Sequence, residues 1–109
     1  MVTDALPEVS PAELKERLDR GTAPDLLDVR EDWEHALVTL PGARLIPIDE
    51  LPGRLGELDP GREVVVYCHH GLRSAAAVPW LRRQGIPAVN LAGGIDAWAL
   101  EVDASLPRY

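Results

Sequence analysis

One stretch holds residue types that can do covalent chemistry at close quarters: Cys68-His69-His70-Gly71-Leu72-Arg73-Ser74. Cys68 is the only cysteine of the chain, and a guanidinium follows it in the same short segment. A thiolate is a strong nucleophile, and it is favoured where backbone N–H groups, a helix N-terminus and a cation surround the sulfur. Free cysteines are also common as inert buried side chains. The loop decides between the two readings, because Gly71 leaves room for close backbone approach and Arg73 places charge near the sulfur. Cys68 is therefore the candidate nucleophile, with His69, His70, Gly71, Leu72, Arg73 and Ser74 as the residues that bind what it reacts with.

The elements on either side position that loop. Val64, Val65, Val66 and Tyr67 form a β-branched and aromatic run, the pattern of a central strand buried on both faces, and it ends at Cys68. From Ser74 an Ala-rich register predicts a helix, stopped by Gly85 and Pro87 and interrupted at Pro79, where a kink is expected. The thiol thus sits in a strand-to-helix turn. A second buried strand spans Asp25 to Val29, with Asp28 and Arg30 at its end. If the strands are parallel, this end and Cys68 share one edge of the sheet. Asp28 reads equally as an acceptor for backbone amides or Arg30 and as a support for the loop; Arg30 reads as structural.

Elsewhere, Met1 to Glu8 lacks periodicity and is expected to be loose. Ser10-Pro11-Ala12-Glu13 has the spacing of a capping box and opens a helix to about Arg20. Glu31 to Leu37 reads as a short helix with Trp33 and Leu37 on an inner face, Leu45 to Ile48 as a strand, and Asp49 to Leu58 as a helix weakened by Pro52, Gly53 and Gly56. Ala88 to Leu91 gives the last strand, Gly93-Gly94 a tight turn, and Ile95 to Leu100 a helix carrying Trp98 as a core anchor. The alternation predicts an α/β fold, a mainly parallel central sheet with helices on both faces.

The loop from Cys68 to Ser74 resembles the active-site loop of single-domain rhodaneses, sulfurtransferases that carry a sulfane sulfur on a cysteine as a persulfide. Leu26-Leu27-Asp28-Val29-Arg30-Glu31, Leu40-Pro41-Gly42-Ala43 and Gly93-Gly94-Ile95-Asp96-Ala97-Trp98 are similar to three further signatures of that family, in the same order. The likeness covers essentially the whole chain. It departs at Val38-Thr39, where most relatives carry a Gly-His pair, a change that touches a turn rather than the nucleophile. The resemblance implies a three-layer rhodanese-like fold, Cys68 as the sulfur-carrying residue, no cofactor, and a small anionic donor such as thiosulfate or a persulfide, with cyanide or a thiol as acceptor. The C-terminal Glu101-Val102-Asp103 and Leu106-Pro107-Arg108-Tyr109 resemble rhodanese domains fused behind adenylating enzymes that sulfurate ubiquitin-like carriers. That likeness implies such a carrier, or its activating enzyme, as a partner.

Composition bounds these readings. A chain of 109 residues makes one domain, 1–109. It has no Phe, so the core rests on Leu, Val, Ile and Ala with three Trp as anchors. With 18 acidic against 11 basic residues and a net charge of −7, a nucleic-acid partner is not expected. No apolar run reaches the length of a membrane span and no signal pattern opens the chain, so no membrane partner and a cytoplasmic location are expected. A lone cysteine cannot form an internal disulfide, so a persulfide on it must pass to an external acceptor. A metal site is not expected, because Cys68, His69 and His70 are neighbours in one turn and His35 stands alone.

Two other function classes share the resemblance. Cysteine phosphatases and arsenate reductases of this fold also use a cysteine loop closed by arginine. Their loop is one residue longer than the four residues, His69 to Leu72, that separate Cys68 from Arg73 here, and the shorter cradle suits one sulfur atom better than a phosphoryl group. Adaptor modules of the family lack the cysteine, which this chain keeps.

Overall fold

The computed structural model describes residues 6–109, and β-strands alternate with helices along it. The strands are β1 (Glu8–Val9), β2 (Asp25–Asp28), β3 (Arg44–Leu45), β4 (Val64–Tyr67) and β5 (Ala88–Leu91). The helices are α1 (Pro11–Asp19), α2 (Asp32–Leu37), α3 (Leu51–Arg54), α4 (Leu72–Arg83) and α5 (Gly94–Glu101). The sheet order is β1-β5-β4-β2-β3 and every pairing is parallel. β4 lies in the middle with Val66 beside Leu27 of β2 and Asn90 of β5, so all carboxyl ends lie on one edge.

Side chains of a strand alternate between faces, and β4 shows how that builds two cores. Val64, Val66 and Cys68 pack on one side with Leu27, Leu51 of α3, and Val78 and Leu81 of α4. Val65 and Tyr67 pack on the other with Leu14 of α1, Leu91, and Ile95 and Trp98 of α5. All four β4 residues are buried, as a strand covered on both faces requires. The result is helices on both sides of a parallel sheet.

Local chemistry explains the element ends. Ser10 Oγ accepts from the Glu13 N–H at 3.1 Å and Glu13 Oε1 accepts from the Ser10 N–H at 3.0 Å, closing the expected capping box of α1. Helix α4 begins at Leu72, two residues earlier than the Ala-rich register alone suggested, because Gly71 in the left-handed region serves as its N-cap. It continues through Pro79 to Arg83.

Several expectations are corrected. Of the stretch Met1 to Glu8, residues 1–5 lie outside the described residues, while Glu8 and Val9 form β1 beside Asn90 and Leu91. Trp33 and Leu37 do not form an inner face: both are exposed, and the buried residue of α2 is Glu34. Trp98 is a core anchor as expected, whereas Trp33 is not. Strand β3 is Arg44–Leu45, and the helix expected through Leu58 breaks into a 3-10 turn at Ile48–Glu50, α3, and a second 3-10 turn at Leu55–Glu57. Gly53 and Gly56 are poor helix formers, which accounts for the interruption.

Candidate active site

Strand β4 delivers Cys68 to the carboxyl-end edge of the sheet, and the chain must turn at once into α4. Gly71 makes that turn with φ +96°, a conformation that side chains with a Cβ rarely adopt, and its N–H reaches the Cys68 Sγ at 3.1 Å. The N–H and Oγ of Ser74 each lie 3.4 Å from the same sulfur. Three donors therefore converge on Sγ, and the residue is only 1% exposed. Leu72 and Arg73, as the first residues of α4, have N–H groups with no partner inside the helix by position, so more donors face this end.

The carbonyls on the loop's other side are bonded by α5. Ile95 N–H donates to Cys68 O at 2.9 Å and Asp96 N–H to His69 O at 3.0 Å. Gly94 allows this approach: a Cβ there would stand 2.5 Å from both the Cys68 and His69 carbonyl oxygens. The Gly93-Gly94 turn read from the sequence is thus the seat on which the cysteine loop rests.

Arg73 points its guanidinium at Glu34 of α2, with Nη1 to Oε1 at 2.7 Å and Nη2 to Oε2 at 2.8 Å. This two-pronged pairing is the strongest geometry available to an arginine and a carboxylate. Glu34 also accepts from the Glu31 N–H at 3.0 Å and from the Tyr109 hydroxyl at 2.6 Å. The Arg73 hydrogen bonds hold its carboxyl down at about 2, against burial, which acts the other way. Sequence reasoning missed both Glu34 and Tyr109. The spacing of Glu31 and Glu34 carries a capping-box signal that could have marked Glu34 as inward-facing, whereas nothing local marks Tyr109.

Asp28 and Arg30 are fully buried and face each other. Arg30 Nε donates to Asp28 Oδ1 at 2.9 Å and Nη2 to Oδ2 at 2.7 Å; Nη2 also reaches Val38 O at 2.5 Å and Nη1 the Tyr109 hydroxyl at 2.8 Å. Burial opposes the Arg30 charge, but the Asp28 bonds and the Tyr109 hydroxyl more than offset it, and its pKa is raised. Asp28 Oδ2 further contacts His35 Nδ1 at 2.8 Å and accepts from the Tyr67 hydroxyl at 3.3 Å. Neither residue bonds Cys68. They reach the loop through Tyr109, which joins Arg30 to Glu34 and so to Arg73. Burial first, then the Glu34 carboxylate it donates to, push the Tyr109 hydroxyl up to about 12, so it stays protonated and keeps donating.

The two loop histidines differ. His70 is exposed, but His69 is half-buried between the His70 ring at 3.8 Å and the Tyr109 ring, also at 3.8 Å and nearly parallel. Burial, and then the charge of His70, lower the His69 pKa, so its imidazole is neutral near pH 7. Ligand atoms of His69, His70 and Asp96 lie within 4.8 Å of one another, a grouping that the order of residues in the sequence does not show. Arg108 already occupies both Asp96 oxygens, at 2.9 and 3.3 Å. A surface concavity of about 680 Å³ lies elsewhere, at the amino ends of β2 and β4 beside Pro24, Asp25 and Val64.

Comparison with known proteins identifies the family and the fold. Residues 10–101 match the family described as "Rhodanese-like domain". The chain is 38% identical to a putative sulfurtransferase, YtwF, of Bacillus subtilis, over 84% of this chain and 88% of that one. It is 39% identical to a probable adenylyltransferase/sulfurtransferase, MoeZ, of Mycobacterium tuberculosis, over 93% of this chain but only 26% of that protein. The chain likewise spans less than a third of other, longer relatives. A crystal structure of a rhodanese-like domain protein from Staphylococcus aureus superposes with a TM-score of 0.84 at 35% identity, over 95% of this chain and 99% of that one. With its cysteine loop seated on the α5 turn of a five-stranded parallel sheet, the chain belongs to the rhodanese-like sulfurtransferase family.

Proposed function

We propose that the protein moves a sulfane sulfur from a small anionic donor, thiosulfate or a persulfide, to a thiophilic acceptor through a persulfide on Cys68. The observation that carries this is the convergence of the Gly71 N–H, the Ser74 N–H and the Ser74 hydroxyl on one buried sulfur. Such donors stabilise negative charge on sulfur in a site closed to bulk water.

The steps balance without an oxidant or a cofactor. The Cys68 thiolate attacks the outer sulfur of the donor; a new S–S bond forms, the donor's own S–S bond breaks, and its electron pair leaves on sulfite or on the donor thiolate. The outer sulfur, now carrying the negative charge, stays on Cys68. A cyanide or thiolate acceptor then attacks it, the Cys68–sulfur bond breaks, and Cys68 regains its thiolate while thiocyanate or a new persulfide departs. His69, His70, Gly71, Leu72, Arg73 and Ser74 line the approach, and the free amides at the start of α4 meet the outer sulfur. Asp28 and Arg30 act behind the loop, holding Tyr109 and through it Glu34.

The likeness to adenylyltransferase/sulfurtransferases supports a ubiquitin-like sulfur carrier or its adenylating enzyme as a partner. A reducing, cytoplasmic setting fits a chain whose one cysteine must stay unpaired. No helix of the described residues is long and apolar enough to cross a membrane.

Initial rates with thiosulfate and cyanide varied together test the reading. Double displacement gives parallel lines in double-reciprocal plots, and an aryl phosphate is not hydrolysed. Intersecting lines, or Cys68-dependent phosphate release, would overturn it.

A further inference from the structure

Resting on the sulfur-transfer reading above, the charge balance at the mouth of the loop narrows the donor. Arg73 is the one arginine within the Cys68-to-Ser74 segment, and it is engaged by both Glu34 oxygens. Glu34 is buried and itself tied by Tyr109 and by the Glu31 amide, so the pair is held from both ends. The other arginines at this end of the sheet are matched as well: Arg30 by Asp28, Arg108 by Asp96. His69 is packed between two rings. The rim, in contrast, is apolar and open, with Leu72 81% and Trp33 62% exposed. The Trp33 ring meets Tyr109 edge-on at 5.8 Å, and Tyr109 lies flat on His69. Among the described residues, a dianion approaching this mouth finds no uncommitted arginine, on a chain whose net charge is already −7.

We propose that Glu34 sets donor specificity: by occupying Arg73 it withholds that charge from the donor, and the site takes a monoanionic persulfide in preference to dianionic thiosulfate. The loop N–H groups stabilise the charge on the transferred sulfur whichever donor supplies it. What differs is the remainder of the donor, an anionic sulfonate that leaves as dianionic sulfite in one case and an organic group suited to the Leu72 and Trp33 rim in the other.

Alkylation of Cys68 by iodoacetate and by iodoacetamide tests the charge independently of sulfur chemistry, since the reagents differ mainly in the charge of the group beside the reacting carbon. In wild type the rate ratio, anion over neutral reagent, is expected to be no higher than for 2-mercaptoethanol. Glu34→Gln keeps an oxygen for the Glu31 amide and Arg73 Nη1 but removes the negative charge that neutralises Arg73, and is expected to raise the ratio about fivefold, the size of one screened charge contact. Thiosulfate loading, measured by mass, rises by a similar factor in the variant relative to loading from cysteine persulfide. A ratio unchanged or lowered in Glu34→Gln would overturn the proposal. Should that variant not fold, wild type alone decides: kcat/KM for cysteine persulfide above that for thiosulfate supports the proposal, and the reverse order refutes it. Failure of wild type to load from either donor would instead sink the sulfur-transfer reading, while the alkylation ratio would still report on Arg73.

Discussion

At the scale of single residues, the site depends on how charge is distributed between Glu34 and Arg73. The Arg73 hydrogen bonds bring the Glu34 carboxyl from the usual 4.5 to about 2, so its folded-state affinity for protons is lower than in the unfolded chain. A carboxyl depressed in this way stabilises the fold in full above its unfolded pKa and loses that contribution as pH falls through the folded one. The difference in melting temperature between wild type and Glu34→Gln is therefore expected to be constant from pH 7 down to about 5, and to shrink between 4.5 and 2. Thermal melts followed by circular dichroism across that range measure it; a gap that persists at pH 2 would show that the pairing is not the source. Cys68, Gly71, Arg73 and Ser74 were legible in the sequence because they lie within one short segment. Glu34 was not, because its partner is 39 residues away and only the fold joins them.

At the scale of elements, the cysteine loop is a joint between three pieces: β4 leads in, α4 leads out, and the first turn of α5 bonds its carbonyls. Gly94 is the closest approach in that joint. Gly94→Ala would force a Cβ to within 2.5 Å of two carbonyl oxygens at φ +66°, and backbone cannot yield as a flexible side chain can. The expected cost is about 2–4 kcal/mol of stability together with loss of sulfur transfer, since the loop must shift. Chemical denaturation and activity assays on the same sample check both, and a variant as stable and active as wild type would contradict the joint. The sequence signalled these elements where one pattern dominated, as in the apolar run of β4 and the capping box of α1. It misled where apolar spacing stood alone: Trp33 and Leu37 are spaced as an inward face, but Glu34, anchored by Arg73 and Tyr109, takes the buried side of α2. Strand β1 is two residues long and exists because β5 offers an edge, which no local property of Glu8 and Val9 announces.

At the scale of the whole molecule, a fully buried ion pair ties distant parts of the chain together. Arg30 bonds Asp28 beside it, the Val38 carbonyl and the Tyr109 hydroxyl, so the end of β2, the turn after α2 and the C-terminal segment share one guanidinium. Removing one partner of a buried pair strands the other: Arg30→Met is expected to cost about 3–5 kcal/mol, measured as the shift in urea unfolding, and a cost below about 1 kcal/mol would mean that water already reaches Asp28. The parallel order of the sheet follows from the alternation of strands and helices, but its sequence β1-β5-β4-β2-β3 and the return of Tyr109 to the site are tertiary facts. The fold holds one sulfur among three donors, and the proposed reaction adds a second sulfur to it. The intact mass of the protein after exposure to thiosulfate or cysteine persulfide tests it most directly. A gain of one sulfur atom that dithiothreitol removes and that Cys68→Ser never shows is expected; an unchanged mass with both donors, while a known rhodanese loads beside it, would refute the persulfide.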